Sequence, residues 1–239
     1  MQKADLTIVI PTFNEKANLE LLVPSLEDAF KGISNIEILI ADEYTGDGTE
    51  ELLEGLNKIY GNIRVLTQKD KSGIAMAWQG GFKLAKSDFI GCMDGDLSHD
   101  PAYMVEMYKA MKEKKCDMII GSRYLNGFWE YHGKKFIPVF LSTTGQYLAR
   151  FILSLKLKDL SHSFRIFRKD LFDRIKDDLS CQGNSYMVQF SYLASKNRFN
   201  ICEIPIIYRK RMHGQTKLKV FKEGVRYIYS LLFMRFKKI

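Results

Sequence analysis

Two carboxylates one residue apart, Asp94 and Asp96, directly follow the apolar run 89–93. Mg²⁺ and Mn²⁺ prefer oxygen ligands and usually keep coordination positions for water and phosphate oxygens. The spacing therefore predicts a divalent-cation site that carries a substrate diphosphate. We expect Asp96 to be the direct ligand, Asp94 to act through water or to orient a sugar, and Ser98 to be a third ligand.

The residues after this triplet place it at the end of a strand. Asp100 and Pro101 are a favourable N-cap and first-turn pair, so they predict a helix over 102–115. The triplet then lies on a strand-to-helix loop, at the edge where open α/β sheets bind ligands. An ordinary Asp-Gly-Asp turn remains the alternative when the triplet is considered alone.

The first 120 residues alternate between short apolar runs and helical patterns. The predicted strands are 6–10, 36–41, 63–67, 89–93 and 118–121. The predicted helices are 16–31, which Asn14 would cap, 49–60, 73–86 and 102–115. This alternation predicts an α/β fold with a Rossmann-like, mainly parallel sheet and helices on both faces. The chain lacks a Gly-x-Gly-x-x-Gly motif after the first strand and a Walker A motif, which argues against a dehydrogenase or a P-loop NTPase.

The pattern changes after residue 121. Helical patterns occur at 137–157 and 185–196, and strand patterns at 163–167 and 201–208. A last amphipathic helix at 218–236 carries apolar residues at i, i+3 and i+4 spacing. This helix either packs on its own domain or lies at a membrane interface, where its cations and aromatic residues would suit the lipid boundary.

The net charge of +8 conceals an asymmetry, because residues 1–120 carry −7 and residues 121–239 carry +15. An acidic half with a metal site beside a basic half suits a phosphorylated substrate or an anionic membrane surface. Nucleic acid ranks lower as a partner, since no recognised nucleic-acid-binding motif is present. The longest charge-free apolar stretch, 136–149, is too short to span a bilayer, so we expect peripheral attachment.

The four cysteines are far apart in sequence, and none forms a Cys-x-x-Cys pair. They are interpreted as buried, reduced side chains, which predicts a reducing compartment. The first predicted strand begins within a few residues of the N-terminus, which leaves no room for a signal peptide. A cytoplasmic location is therefore expected, on the cytosolic face of a membrane.

Six separated motifs agree on one family. They are Val9-Ile-Pro-Thr-Phe-Asn-Glu15, Asp42 within 40–49, Asp94-Gly-Asp-Leu-Ser-His99, Gly121-Ser-Arg-Tyr124, Ser161-His-Ser-Phe-Arg165 and Arg211-Met-His-Gly-Gln-Thr-Lys217. With these motifs the chain resembles the inverting family 2 glycosyltransferases of GT-A fold, and within them the dolichol-phosphate (polyprenol-phosphate) mannose synthases. The resemblance implies a GT-A domain over 1–217, with a nucleotide-sugar-binding half at 1–120 and an acceptor-binding half at 121–217. The C-terminal amphipathic helix at 218–239 follows.

The resemblance also implies the substrates: GDP-mannose or another nucleoside diphosphate hexose as donor, polyprenyl or dolichyl phosphate as acceptor, and Mg²⁺ or Mn²⁺. Residues that would hold the nucleoside are Pro11, Phe13, Glu15 and Asp42. Glu43 stands where the family usually has a second Asp, which shifts contacts to the base or ribose and leaves the nucleotide open.

Basic residues complete the implied site. Arg123 would reach the sugar diphosphate as a fork donor, and Arg211 and Lys217 would grip the phosphates of acceptor and donor. On the acceptor side, three more residues match the family's pattern and would contact substrate: Ser161, Arg165 and Gln189.

Departures from the family's pattern lie on the acceptor side as well. His162 and Ser163 occupy positions that are usually small, and Ser191 replaces a common Glu. His99 is expected to be a hydrogen-bonded structural residue.

A lipid phosphate acceptor is already ionised near neutral pH, so it can attack the anomeric carbon without a general base, and a single displacement inverts that centre. Two alternatives stay open. One is a family 2 transferase with a saccharide or glycolipid hydroxyl acceptor, which would need a base. The other is a catalytically weak, nucleotide-binding partner subunit at a membrane. The sequence also leaves open whether a membrane-spanning partner subunit holds the protein there.

Overall fold

The structure, a computed structural model, describes residues 3–43, 45–68, 73–113, 115–125, 136–209 and 220–236. The strands in these ranges are β1 (Leu6–Thr12), β2 (Ile36–Glu43), β3 (Ile63–Gln68), β4 (Phe89–Cys92), β5 (Met118–Ser122), β6 (Arg165–Arg168) and β7 (Ile201–Pro205). The helices are α1 (Lys16–Phe30), α2 (Thr49–Tyr60), α3 (Ile74–Leu84), α4 (Pro101–Glu113), α5 (Phe136–Leu153), α6 (Lys169–Ile175), α7 (Ser185–Lys196) and α8 (Val220–Phe236).

One sheet joins the seven strands in the order β3-β2-β1-β4-β6-β5-β7. Strands β3, β2, β1 and β4 are parallel neighbours, and β7 runs parallel to β5. Among the strands of the described ranges, β6 alone is antiparallel to its neighbours, and it lies between β4 and β5. The predicted fold class, a Rossmann-like and mainly parallel α/β sheet, is confirmed. The division of the chain near residues 120 and 217 stays a prediction.

Both faces of the sheet carry apolar side chains, and helices therefore pack on both faces. On one face, alternate β1 residues such as Ile8 pack with the buried sides of α1 and α4. On the other face, Val9 joins Trp78 and Phe82 of α3 and the aromatic residues of α6 and α7. Gly81 permits this close approach, because a Cβ atom there would lie 2.4 Å from Val9 Cγ1.

Helices α5 and α8 pack against each other at the side of the domain. Ala149 and Leu153 of α5 are buried together with Leu231 and Met234 of α8. One face of α8, the helix predicted from the amphipathic pattern at 218–236, is therefore buried on its own domain. In the described ranges, no helix combines the length and the apolar character that crossing a bilayer would require.

Several predicted details were wrong. Asn14 does not cap α1: it has a φ of 57°, and Glu15 takes the N-cap position without a side-chain cap hydrogen bond. The seven-residue helix α6 was not predicted, since it is shorter than a reliable amphipathic pattern. The strand predicted at 163–167 begins at Arg165, and the one predicted at 201–208 ends at Pro205.

The cysteine interpretation is also corrected. Cys116 and Cys202 form a disulfide, which joins the segment before β5 to β7, whereas Cys92 and Cys181 are free thiols. Strands β5 and β7 are neighbours, with Ile119 opposite Cys202, so the sheet register brings the two cysteines together. The argument for a reducing compartment from four reduced cysteines therefore fails.

Candidate active site

The loop between β4 and α4, residues 93–100, is here called the acidic loop. Its backbone turns at Leu97, which has a φ of 61°, a region that costs a branched side chain energy and often marks functional loops. The turn brings the N–H and Oγ of Ser98 to Asp96 Oδ1, at 3.1 and 2.5 Å. Asp100 Oδ1 then accepts the N–H of Ala102 at 3.0 Å, which confirms the predicted start of α4.

Gly95 lets the acidic loop lie on the end of β1. A Cβ atom at this position would come within 3.1 Å of Thr12 Cγ2 and 3.4 Å of Ile10 Cγ2. The same Thr12 donates its hydroxyl to Asp42 Oδ1 at 2.7 Å. Because β2, β1 and β4 are parallel neighbours, the acidic loop and Asp42 lie at the same edge of the sheet.

A polar pocket of about 250 Å³ opens beside the end of β2. Its lining includes Lys16, Asp42 and the residues 45–51 that lead into α2. Burial raises the pKa of Asp42, the hydrogen bond from Thr12 opposes the rise, and nearby acidic side chains add to it. A buried carboxylate held by one hydroxyl can accept hydrogen bonds from a ligand's N–H or O–H groups.

The other predicted nucleoside residues lie at or just after the end of β1 and differ in exposure. Phe13 is exposed at the end of β1, where its ring can face a base, whereas Pro11 is buried within the β1–β2 ladder opposite Ala41. Glu15 accepts a hydrogen bond from the Asn18 side chain at 2.5 Å.

Glu43, the residue that departs from the family's Asp, has a local use in the fold. Its Oε1 accepts the N–H of Gly73 at 2.7 Å, just before α3. The longer carboxylate therefore connects β2 to the start of α3.

Arg123 directs its guanidinium toward a buried carboxylate. Its Nε and Nη2 donate to Asp159 at 2.7 and 2.9 Å, and its backbone N–H reaches the same side chain at 3.2 Å. Nη2 also approaches Ser161 Oγ at 3.5 Å. The Nε–Nη2 edge of the guanidinium, which was predicted to bind the sugar diphosphate, donates to Asp159 instead. This geometry does not support a diphosphate contact by that edge.

The segment before β6, residues 158–164, is held by several buried polar groups. Gln146 of α5 donates to Ser161 Oγ at 2.6 Å and accepts the N–H of Leu160 at 3.0 Å. Glu203 of β7 accepts the N–H groups of Lys158 and Asp159, at 2.8 and 2.9 Å. Ser161 is therefore fixed in place while remaining partly accessible.

Two predicted acceptor-side residues lie in the interior. Arg165 is fully buried and donates to the carbonyls of Leu160 and His162 and to Ser191 Oγ. Burial lowers its pKa to about 10, so it stays protonated at neutral pH. Gln189 is also fully buried and bonds the backbone around residue 180. Both side chains thus support the polypeptide backbone, and the predicted substrate contacts by Arg165 and Gln189 stay predictions.

Two histidines connect the acidic loop to β5. The N–H of Asp94 donates to His99 Nδ1 at 3.2 Å, and His99 Nε2 lies 3.0 Å from His162 Nε2. His162 Nδ1 lies 2.6 Å from the carbonyl oxygen of Gly121. The prediction of a structural, hydrogen-bonded His99 is confirmed. Burial, then the charge of Arg123 and the neighbouring His99, lowers the pKa of His162 well below its ordinary 6.5.

The segment after β7 also contacts the acidic loop. The N–H of Arg209 donates to the Ser98 carbonyl at 3.0 Å, and its guanidinium pairs with Asp100 at 3.0 Å. Burial, and then the charges of Asp94 and Asp96, raise the pKa of Tyr208 to about 12, so its phenol stays neutral.

Arg211 and Lys217 lie outside the described residues. Their roles stay predictions.

The acidic loop fits a hard divalent cation by its donor chemistry. Asp94, Asp96 and Ser98 supply only oxygen, and two carboxylates leave positions for water and a diphosphate. Asp96 is buried, whereas Asp94 is partly exposed toward the sheet edge. Among the described residues no cluster of three or more His, Cys, Asp or Glu forms a complete cage. The cation that this donor set fits would take its remaining ligands from water and substrate oxygens.

Sequence reasoning missed the partners of the predicted residues. Asp159 holds Arg123, Thr12 holds Asp42, and Ser163 Oγ donates to Asp94 Oδ1 at 2.8 Å. His162 and Ser163 had a signal, since both depart from the family's small residues. Thr12 lies within the motif at 9–15, but nothing there indicates a bond to Asp42, and nothing in the local sequence marks Asp159.

The seven-stranded sheet, with its acidic loop after β4 and its polar pocket after β2, is that of the GT-A class of glycosyltransferase folds. The chain belongs to glycosyl transferase family 2, whose family model matches residues 7–176, more than half of the chain.

Two relatives of similar sequence are named as a dolichol-phosphate mannosyltransferase and a polyprenol monophosphomannose synthase. The dolichol-phosphate mannosyltransferase of Pyrococcus furiosus is 29% identical over 235 residues, which cover 95% of this chain and 63% of that relative. The polyprenol monophosphomannose synthase of Mycolicibacterium smegmatis is 28% identical over 222 residues, 88% of this chain and 80% of the relative. The chain thus spans less than two thirds of the Pyrococcus relative's length.

Solved structures share the fold at lower identity. Glucosyl-3-phosphoglycerate synthase from Mycobacterium tuberculosis, crystallised with Mn²⁺, UDP and glucosyl-3-phosphoglycerate, superposes with a TM-score of 0.68. The identity is 16%, over 97% of this chain and 80% of that chain. A structure of the same enzyme with Mg²⁺ and UDP also has a TM-score of 0.68, at 15% identity over 97% of this chain and 79% of that chain.

Proposed function

We propose that the protein transfers mannose from GDP-mannose to a polyprenyl or dolichyl phosphate, with inversion and with Mg²⁺ or Mn²⁺ as cofactor. The observation that carries the proposal is the position of the acidic loop, at the same sheet edge as the Asp42 pocket. The two relatives named for mannosyl transfer to dolichol phosphate or polyprenol support the acceptor class.

In this proposal, different residues of the site bind the nucleoside and the cation of the nucleotide sugar. Asp42 and the polar pocket take the nucleoside, with Phe13 at its border. Asp96 and Ser98 hold the cation, with Asp94 directed to its water shell or to the sugar. When bound, the cation neutralises charge on the leaving diphosphate. The acidic loop is preorganised, so little reorganisation is needed when the donor binds.

A phosphate acceptor fits the histidines of the site better than a hydroxyl acceptor. His99 and His162 are 1% and 3% exposed. Both ring nitrogens of each lie at hydrogen-bonding distance of a partner. Neither can take a proton from a substrate hydroxyl without breaking these contacts. An ionised phosphate needs no such base, and we propose that Arg211 and Lys217 bind it.

The donor is tested by incubating the protein with polyprenyl phosphate and GDP-mannose, UDP-glucose or other sugar nucleotides, with Mn²⁺, Mg²⁺ or EDTA. The readout is lipid-linked sugar. Asp96→Asn is expected to lower transfer at limiting Mn²⁺ by at least tenfold, in line with loss of a metal ligand. Asp88→Asn removes the same charge at an exposed position just before β4 and should retain activity.

The results separate the competing functions. Sugar transfer to a saccharide hydroxyl but not to lipid phosphate would support the hydroxyl-acceptor alternative. Nucleotide binding without turnover of any donor would support a partner subunit. Equal activity of Asp96→Asn and Asp88→Asn would refute the metal assignment.

We further propose peripheral attachment to a membrane through the outer surface of α5 and α8. The large exposed apolar side chains there, the α5–α8 apolar face, are Tyr147, Phe151, Val225, Ile228, Tyr229, Leu232 and Phe236. Helix α8 also carries two exposed cationic side chains, Arg226 and Arg235. Apolar burial and attraction to anionic lipid would act together, so high salt should weaken binding without abolishing it. The cytosolic side and a membrane-spanning partner subunit stay predictions, and the disulfide counts against the redox argument for the cytosol.

Liposome flotation at low and high salt, with neutral and anionic lipid, tests this attachment. Phe151→Ser, on a side chain that is 85% exposed, should reduce flotation. Ile59→Ser, on α2 and 72% exposed, is the matched control and should not. Absence of flotation in every condition would remove the membrane proposal and shift weight to a water-soluble acceptor.

A further inference from the structure

The reversed direction of β6 brings two chain segments together at the active site. Cys92, the last residue of β4, is opposite Arg165, the first residue of β6. The residues that follow β4 therefore lie beside those that precede β6. The acidic loop meets residues 162 and 163 for this reason, although they are more than 60 positions later in the sequence.

Both residues contact the acidic loop through side-chain hydrogen bonds. Ser163 Oγ donates to Asp94 Oδ1 at 2.8 Å, which fixes the carboxylate group. His162 contacts His99, which accepts the backbone N–H of Asp94 at 3.2 Å and stacks on the Phe164 ring at 4.5 Å between centroids. The side chain and the main chain of Asp94 are thus held separately.

The hydrogen bonds assign the ring protons of both histidines. A backbone N–H can only donate, so His99 Nδ1 accepts and the hydrogen of neutral His99 is on Nε2. His162 Nε2 must then accept, and its hydrogen is on Nδ1, where it is donated to the Gly121 carbonyl. Hydrogen-bond donation therefore runs in one direction, from the N–H of Asp94 through His99 and His162 to the carbonyl oxygen of Gly121 on β5.

We infer that His162 is a positioning residue: through His99 it holds the backbone of Asp94 in the geometry that binds the cation and the donor diphosphate. It touches neither the cation nor the substrate, because it is buried behind the loop. This role rests on the proposed function of the acidic loop. Groups that orient a metal-binding residue typically change metal affinity by about 10- to 100-fold when they are removed.

Two substitutions separate positioning from folding. His162→Asn keeps an amide N–H near Nδ1 for Gly121 but loses the acceptor for His99. His162→Gln places an amide oxygen near Nε2 for His99 but loses the donor to Gly121. Each removes one buried hydrogen bond, so similar losses of stability are expected, whereas only the Asn variant releases His99. Phe172→Leu, at a buried core position of α6, is a further control for general destabilisation.

The first readout is Mn²⁺ binding in the presence of GDP, followed by electron paramagnetic resonance of free Mn²⁺. His162→Asn is expected to weaken binding about tenfold. His162→Gln and Phe172→Leu should stay within about twofold of the wild type, at comparable melting temperatures. Equal weakening in the Asn and Gln variants, or none in the Asn variant, would overturn the inference.

The second readout does not depend on the proposed function. ¹⁵N–¹H correlation spectra of the ring nitrogens should place one hydrogen on Nε2 of His99 and one on Nδ1 of His162. Assignment is practical, because the chain has four histidines. Wild-type protein that binds no Mn²⁺ with any nucleoside diphosphate would refute the proposed function of the loop and, with it, the positioning role. The reverse tautomers would refute the hydrogen-bond chain and the positioning role, while the proposed function of the loop would stand.

Discussion

Asp159→Ala removes the carboxylate that holds Arg123. The side chain of Asp159 is fully buried and that of Arg123 is 13% exposed, so the pair lies largely outside solvent. The carboxylate accepts three hydrogen bonds from Arg123 and one, at 3.2 Å, from Gln146. The substitution would leave a nearly buried guanidinium without its counter-charge, an arrangement that is costly in a low-dielectric interior.

The magnitude follows from how buried ion pairs behave. Removing one partner costs about 3–5 kcal/mol, whereas removing both can cost much less, because no charge is then left buried. We expect about 3 kcal/mol for Asp159→Ala. The double variant with Arg123→Ala should cost less than the sum of the single variants, with a coupling energy of about 2 kcal/mol or more. For a chain of this size, 3 kcal/mol corresponds to about 6–12 °C in melting temperature.

The assay is a double-mutant cycle by denaturant unfolding, under conditions that keep the disulfide intact. Lys3 and Asp88 provide the matched control, since their 2.6 Å separation is close to the 2.7 Å of the buried pair, but their side chains are 60% and 79% exposed. Their coupling should not exceed about 1 kcal/mol. If Arg123 and Asp159 prove additive within about 0.5 kcal/mol, or couple no more than the exposed pair, the structural role of Arg123 is refuted.

Three further predictions concern other parts of the fold. Thiol titration of the unfolded, unreduced chain should yield two thiols; four would contradict the Cys116–Cys202 bond, which closes 86 residues and whose loss should cost about 4–5 kcal/mol in the chain-entropy model. The free energy of unfolding should fall as the pH drops below the ordinary histidine value of 6.5, because the unfolded chain binds a proton that folded His162 excludes; in His162→Asn this component should disappear, and an unchanged pH profile would contradict it. Asp42→Asn should raise the melting temperature, because the amide avoids the cost of a buried charge among acidic neighbours and its oxygen still accepts the hydrogen bond from Thr12. The same variant should bind nucleoside diphosphates more weakly, and a less stable variant that binds them normally would contradict both expectations.

The fold class was predictable because its signals are local. Apolar runs alternate with helical patterns, and Asp100 with Pro101 marks the helix after the acidic loop. Parallel topology then places the carboxyl ends of the strands at one edge, so Asp42 and the acidic loop could be assigned to one site before the structure was known.

The partners of these residues could not be predicted, because they depend on the register of distant segments. Asp159 is 36 residues from Arg123, and His162 is 63 residues from His99. An arginine beside a strand end is equally consistent with a diphosphate contact and with an internal ion pair until its neighbour is known. The disulfide was missed for the same reason, since only the pairing of β5 with β7 brings its cysteines into range.

The antiparallel strand β6 also bears on how such a catalyst can diversify. Parallel strands deliver their carboxyl ends to the ligand edge, whereas β6 delivers its amino end. The segment in front of it is anchored by groups from α5, β5 and β7. A new segment grafted between β5 and β6 would thus reach the reaction centre without a shift in the ladder of β1 to β4. Exchange of this one segment could therefore change which acceptors are used, while the donor-binding half of the sheet keeps its structure.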